Sequence, residues 1–238
     1  MGFPKQGPVI AIDGPAGTGK SSAAKRLSDL LGFTHVDTGS LYRSISLCCL
    51  EKGILFSGTQ LSEEDRKKAI EIAKSTHLEF KRDKRKNPAN RITANGSDVT
   101  PRIRTPEVSM AASIVSAIPE VRAALLGLQR TLGCVGKTIL EGRDIGTVIF
   151  PDADVKFFLT ASLEERAKRR LAELEASGSD TASFEEIKTQ IKERDEGDST
   201  RAVSPLRMAE DAIRIETTNL TLDEVVQEMA SGARRLLT

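Results

Sequence analysis

Three cysteines, two histidines and no run approaching the roughly 18 apolar residues of a membrane span set the first limits on this chain. The missing apolar run argues against a bilayer-crossing helix. Cys48, Cys49 and Cys134 are odd in number, and the adjacent pair has neither metal-ligand nor redox-motif spacing. They read as small buried apolar residues without redox or metal chemistry. Met1 to Pro8 holds one lysine and no apolar core, so nothing resembles a secretory signal and the cytoplasm is the expected compartment. With 35 basic and 34 acidic residues the formal charge is +1, which gives no global attraction to nucleic acid. His35 and His77 suggest no base and nucleophile pair.

What is present is the composition of an ordinary globular protein, 39% hydrophobic and 29% charged. Its length of 238 residues suits one domain, or one domain with a substantial insertion. Val9-Ile10-Ala11-Ile12 is a short apolar run of the kind buried in a parallel sheet, ended by Asp13-Gly14. Gly14-Pro15-Ala16-Gly17-Thr18-Gly19-Lys20-Ser21 then satisfies G-x-x-x-x-G-K-[ST] at every position. The glycines let the backbone wrap a polyphosphate with its amides turned inward, and the lysine ammonium reaches the terminal phosphates. Ser21 is placed to ligand Mg²⁺ through its hydroxyl, and Ser22 follows it. From Lys20, apolar residues at Ala23, Ala24, Leu27, Leu30 and Leu31 give the period of an amphipathic helix, which Gly32 caps. Strand, glycine loop and helix in that order are what nucleoside triphosphate binding needs.

Phe33 to Val36 reads as a second strand, and Leu41 to Leu50 as a helix closed by Gly53. The beat breaks between residues 55 and 108, where a helix after Ser62, the segment Leu78-Glu79-Phe80 and an Asn95-Gly96 turn predict a subdomain with a small antiparallel sheet. Its charged run, Lys81 to Lys86, reads as a solvated hairpin edge rather than an RNA contact, because Asp83 interrupts it and no aromatics interleave. Two helices separated by Pro119 follow, then strands at Thr138-Ile139-Leu140 and Val155 to Leu159. Ser162 with Glu165 predicts a capping box, and Ser183 with Glu186 another for a helix running into Arg194. Asp211 to Thr217 is a last strand, and Thr221 with Glu224 caps the terminal helix. Arg166, Lys168, Arg169 and Arg170 form a basic helix face that reads as solvated, with one of them a candidate to meet ATP. The pattern is a three-layer α/β domain with excursions.

Thr138-Ile139-Leu140 runs into Glu141-Gly142-Arg143-Asp144 rather than into the acidic pair of a nucleic-acid motor, and no Asn-Lys-x-Asp segment marks a guanine-nucleotide switch. Arg43, Arg143, Arg194 and Arg201 follow strand-like or helical segments, and arginine grips phosphate with two parallel donors. That pattern suits a kinase whose acceptor carries a phosphate.

Three blocks carry a closer likeness: Asp37-Thr38-Gly39-Ser40-Leu41-Tyr42-Arg43, residues 141–151 (EGRDIGTVIFP) and residues 191–206 (IKERDEGDSTRAVSPL). With the phosphate loop they resemble, in collinear order from Val9 to Leu237, the bacterial cytidylate kinases among the nucleoside monophosphate kinases. The resemblance implies a P-loop kinase fold with a five-stranded parallel core in 1–54 and 109–238, an inserted NMP-binding subdomain with a small antiparallel sheet in 55–108, and a short helical lid at about 177–204. It implies transfer of the γ-phosphoryl of ATP, with Mg²⁺, to CMP or dCMP. Carried over by position, Lys20, Arg43, Arg143, Arg194 and Arg201 would be catalytic, with Gly14 to Ser22 on ATP. Arg43 and Arg143 would hold the acceptor phosphate with Arg201 near it, while Ser113, Arg122 and Asp144 read the cytosine edge. Asp198, helped by Arg194, would meet the ribose, and Thr38 stands where relatives often carry serine. Gly197 and Ser199 replace lid arginines of some relatives, and Gly178 and Gly197 would serve as hinges. Taken alone, Arg122 in the helix Glu120 to Leu132 reads as solvated, and Ser113 as helix packing. The family implies a monomer, and neither nucleic acid nor membrane is an expected partner. The other readings are a kinase for UMP, another monophosphate or a small metabolite, and, in a different class, a regulatory or nucleic-acid-binding ATPase.

Overall fold

The computed structural model describes residues 5–56, 61–82, 90–176, 178 and 183–237. Strand β1 (Val9–Asp13) is buried at all five positions. It runs parallel to β6 (Thr138–Glu141) on one side and to β7 (Val155–Thr160) on the other. With β2 (Thr34–Asp37) and β8 (Ile213–Glu216) the sheet has the order β2-β6-β1-β7-β8, the five-stranded parallel core expected from the sequence. The first strand lies in the middle, so later strands fall on both sides of it. Such a sheet opens a crevice at the carboxyl ends of its central strands, where ligands bind.

Contacts divide the chain into two compact units, Met1–His35 with Gly133–Thr238, and Val36–Leu132. In the first, helices α1 (Lys20–Leu31) and α8 (Leu222–Leu237) pack on the sheet through a core that includes Ile12, Leu27, Phe157, Ile215 and Met229. Helices α6 (Leu163–Ala176) and α7 (Phe184–Thr200) pair around Ala167, Ile187 and Ile191. In the second unit, α2 (Gly39–Glu51) shares a core with α3 (Glu63–Ser75), α4 (Pro106–Val115), α5 (Pro119–Cys134) and the antiparallel sheet β3 (Leu78–Arg82), β4 (Asn90–Ala94) and β5 (Ser97–Asp98). Asn95 and Gly96 both take positive φ, 50° and 82°, as a two-residue hairpin requires. The 55–108 segment lies inside this unit.

Several boundaries move. The second strand starts at Thr34, because Phe33 N–H still closes α1 on Ser28 O while Thr34 N–H is the first to pair, with Lys137 O. The last strand shortens to Ile213–Glu216, the four residues that match Phe157 to Thr160. Helix α7 continues past Arg194 to Thr200, since Gly197 stays helical. The capping boxes at Ser183 and at Thr221 are complete. At Ser162 only half forms: Glu165 N–H donates to Ser162 Oγ, while the Glu165 carboxylate accepts from Arg169 instead. Cys49 is buried, whereas Cys48 and Cys134 are only partly so, and all three are free thiols. Most of the charged run, 83–86, falls outside the described residues, as do 177 and 179–182 of the expected lid. No single described helix is long and apolar enough to cross a membrane.

Candidate active site

The carboxyl edge of β1 becomes the phosphate loop. Gly14 has φ +145°, and a Cβ there would lie 2.1 Å from Leu159 O, so no other residue fits. Lys20 opens α1 but is buried, and its Nζ donates to Pro15 O at 2.6 Å and to Thr18 Oγ1 at 3.3 Å. Burial first, and the Arg143 charge next, push its pKa well below the usual lysine value. A cation held this way, facing its own loop's carbonyl, is stabilised by any anion that enters the loop.

Ser21 Oγ donates to Glu141 Oε2 at 2.8 Å, and Glu141 Oε1 accepts from His35 Nε2 at 2.8 Å. Glu141 is buried at the end of β6. Among the described residues no group of three or more His, Cys, Asp or Glu side chains could hold a metal on its own. The donor set at the loop, a serine hydroxyl with a carboxylate behind it, fits Mg²⁺, which keeps several waters and binds phosphate oxygens with few protein ligands.

Arg143 and Asp144 follow β6 and lead into a π-turn, Ile145–Ile149. Arg143 Nε donates to Asp198 Oδ2 at 2.8 Å, and Arg201 Nη1 lies 3.4 Å from Asp198 Oδ1. Arg201 Nη2 stands 3.8 Å from Asp144 Oδ1. Burial would raise the pKa of Asp198, but Arg143, Arg194 and Arg201 outweigh it and hold the group below the ordinary aspartate range. Arg194, on α7, is close enough to act on both Asp198 and Lys20. Arg201 is aimed by its own chain: its Nε donates to Ser204 O at 2.6 Å, and Ser204 takes φ +52°. The loop is pinned by Leu206 N–H on Asp198 O.

In the other unit, Arg43 Nη2 donates to Asp37 Oδ2 at 2.5 Å, and Thr38 is buried at the start of α2. Arg122 is buried, contrary to the solvated reading of its helix. Its Nη1 donates to Ser116 O at 3.1 Å, and its guanidinium lies 5.3 Å from the centre of the Tyr42 ring. Ser113 sits half-buried on α4. Gly14 to Ser22, Arg143, Asp144, Arg194, Asp198 and Arg201 thus share one unit, and Thr38, Arg43, Ser113 and Arg122 the other.

Half of the basic face of α6 turns inward, while Lys168 is exposed and Arg170 pairs with Glu173 at the surface. Arg166 is buried, donating to Ala161 O, to Ala16 O in the phosphate loop and to Asp195 Oδ2. Arg169 donates to the carbonyl and hydroxyl of Thr217, whose hydroxyl in turn donates to Thr18 O. Arg166 and Arg169 belong to the basic face from which the sequence offered one contact to ATP, whereas Asp13, Glu141, His35 and Thr217 were given no role there. The available signal was their position: each of Asp13, Glu141 and Thr217 closes or follows a strand at the sheet edge that carries the loop.

A family model described as cytidylate kinase matches residues 10–235. A cytidylate kinase of Geobacter sp. (strain M21) is 45% identical over 233 residues, covering 98% of this chain and 95% of that protein. Another, from Caldanaerobacter subterraneus subsp. tengcongensis, is 46% identical over 226 residues, covering 95% and 94%. A bifunctional pantoate ligase/cytidylate kinase of Synechococcus sp. (strain JA-3-3Ab) matches 98% of this chain at 45% identity over 42% of its own length.

Proposed function

This chain belongs to the cytidylate kinase family, and on that premise we propose how its residues move the γ-phosphoryl group of ATP to CMP. The acceptor is a phosphate monoester with a second pKa of about 6, so it is mostly dianionic at pH 7 and needs no general base. The obstacle is repulsion between two anions. Catalysis therefore consists of neutralisation and alignment.

In this reading the backbone N–H groups of the loop Gly14 to Gly19, Pro15 having none, and the Lys20 ammonium take the donor phosphates, with Ser21 and Ser22 at the helix start. Arg43 and Arg143 hold the acceptor phosphate, and Arg194 and Arg201 neutralise the group in transfer. Ser113, Arg122 and Asp144 read the cytosine edge, Thr38 lines the acceptor loop, and Asp198 exchanges an arginine for a ribose hydroxyl when CMP or dCMP enters. Mg²⁺, held by Ser21 with Glu141 behind it, supplies charge neutralisation on the phosphates when bound. Segment 55–108 is the acceptor-binding insert, and 177–204 the lid, hinged at Gly178 and Gly197 and closing to exclude water. The protein works as a monomer in the cytoplasm.

The observation that carries the residue assignment is the convergence of Arg143, Arg194 and Arg201 on one buried carboxylate, beside a lysine whose charge burial disfavours. A coupled assay of ADP formation against CMP, dCMP, UMP, AMP and shikimate tests the specificity. CMP and dCMP should exceed the others by at least about tenfold in kcat/KM, the discrimination expected of a site that hydrogen-bonds a base edge. Turnover of UMP equal to that of CMP would remove the base-reading roles of Ser113, Arg122 and Asp144.

A further inference from the structure

We propose that Asp13 is a positioning residue for the transfer: its carboxylate ties the strand end that opens the phosphate loop to the backbone that presents Arg143 and Asp144. Asp13 Oδ1 accepts from Ile145 N–H at 2.9 Å, and Oδ2 accepts from Gly146 N–H at 2.7 Å. One residue earlier in β1, Ile12 O accepts from Gly142 N–H at 2.9 Å. Arg143-Asp144 is therefore the two-residue span left between consecutive anchors, both on β1. On its other side, Asp13 is followed at once by Gly14, the first residue of the loop.

Anchoring by a carboxylate is costly here. Asp13 is 4% exposed, and burial pushes its pKa up to about 6 against the two amides and the more distant Lys20, with Asp144 adding to the rise. What this side chain offers, and an apolar strand end does not, is a pair of acceptors at the spacing of two successive N–H groups. The π-turn needs them. Its bonds run from Val148 and Ile149 N–H to Asp144 O and from Phe150 N–H to Ile145 O, so the leading amides, Ile145 and Gly146, take Asp13 as their acceptor. Space is tight as well: a Cβ at Gly146 would stand 3.1 Å from Lys156 Cδ and 3.4 Å from Asp13 Oδ2. A shift of Asp13 would carry over to the backbone on which Arg143 and Asp144 sit.

This inference rests on the acceptor roles given above to Arg143 and Asp144, so Asp144→Ala is measured beside it. Asp13→Asn keeps the shape but turns an NH₂ toward one of the two amides. The KM for CMP should rise about tenfold, in line with one buried donor left unpaired, while the KM for ATP stays within about twofold. In an Asp144→Ala background the same substitution should add less than it does alone, because coupled residues are not additive, with what remains acting through Arg143. Equal rises for both substrates, or no rise for CMP, would overturn the role. If Asp144→Ala alone leaves the KM for CMP unchanged, the base-reading assignment fails. Asp13 then stands if its substitution still acts on CMP selectively, through Arg143, and falls if it does not. Should Asp13→Asn lose its cooperative melting transition, Asp13→Glu, which keeps both oxygens one methylene further out, carries the same comparisons.

Discussion

The donor loop and the arginine cluster belong to the same compact unit, and they are built by opposite means. The loop is eight consecutive residues whose working parts are backbone amides and one lysine, shaped by glycines at positive φ. The cluster is assembled from side chains that lie 55 positions apart, as with Arg143 and Asp198. They also differ in charge. Among the described residues Lys20 has only neutral oxygens as hydrogen-bond partners, and its charged form is disfavoured. The cluster carries its own anion, Asp198, held ionised by the arginines around it. In the proposed reading an incoming phosphate satisfies the loop, whereas in the cluster, where Asp198 already partners the arginines, a ligand would displace a partner.

The largest effect should come from emptying the loop. Lys20→Ala should cut transfer by about 10²-fold or more in a coupled ADP assay while circular dichroism stays native, since the side chain bonds only within its own loop. Near wild-type turnover would remove Lys20 from the mechanism. Arg143→Ala should follow, at about 10²-fold in kcat/KM for CMP, and with a smaller change in the KM for ATP. A loss confined to ATP would reverse the division between donor loop and cluster. Asp198→Asn should be milder, about tenfold in the KM for CMP, because the amide can still meet a ribose hydroxyl. If ATP suffers equally, its place on the acceptor side is wrong.

The smallest effect separates two buried carboxylates by the sign of their pH dependence. Asp198 has a lowered pKa in the fold, so its contribution to stability is present above the unfolded value of 3.8 and is lost as pH falls through the folded one. Asp13 is raised to about 6, so its contribution is full below 3.8 and is lost as pH rises through about 6. Urea midpoints from pH 3 to 7 should decline less steeply on the acid side in Asp198→Asn, and less steeply between pH 4 and 6 in Asp13→Asn. Superimposable profiles for the two variants would erase the distinction.

The same difference governs what could be read from the chain. Gly14 to Ser21 is local, so spacing alone identifies it, and apolar runs flanked by turn residues gave the strands on either side. Arg143, Arg194 and Arg201 stood out by their places after strand-like or helical segments, but Asp198 joined them only through the family resemblance, since no local rule brings the four together. Arg166 was misread because helical periodicity describes a face, not what the preceding strand turns that face toward; its bond to Ala16 O spans 150 positions. Ser21 with Glu141, and Thr217 with Thr18, span 120 and 199. The burial of Arg122 was hidden from its helix taken alone for a related reason, as its cover is the ring of Tyr42.

That ring has a practical side. The chain holds one tyrosine and no tryptophan, so Tyr42 is its only phenol and no indole drains its emission. Its hydroxyl accepts from Gln129 Nε2 at 3.4 Å, and the Arg122 guanidinium lies over its face. The chain therefore comes with a single tyrosine emitter, already seated against a residue assigned to base reading. Titrating unlabelled enzyme with nucleotide and watching its ultraviolet emission would follow that neighbourhood directly, with no dye and no engineered reporter.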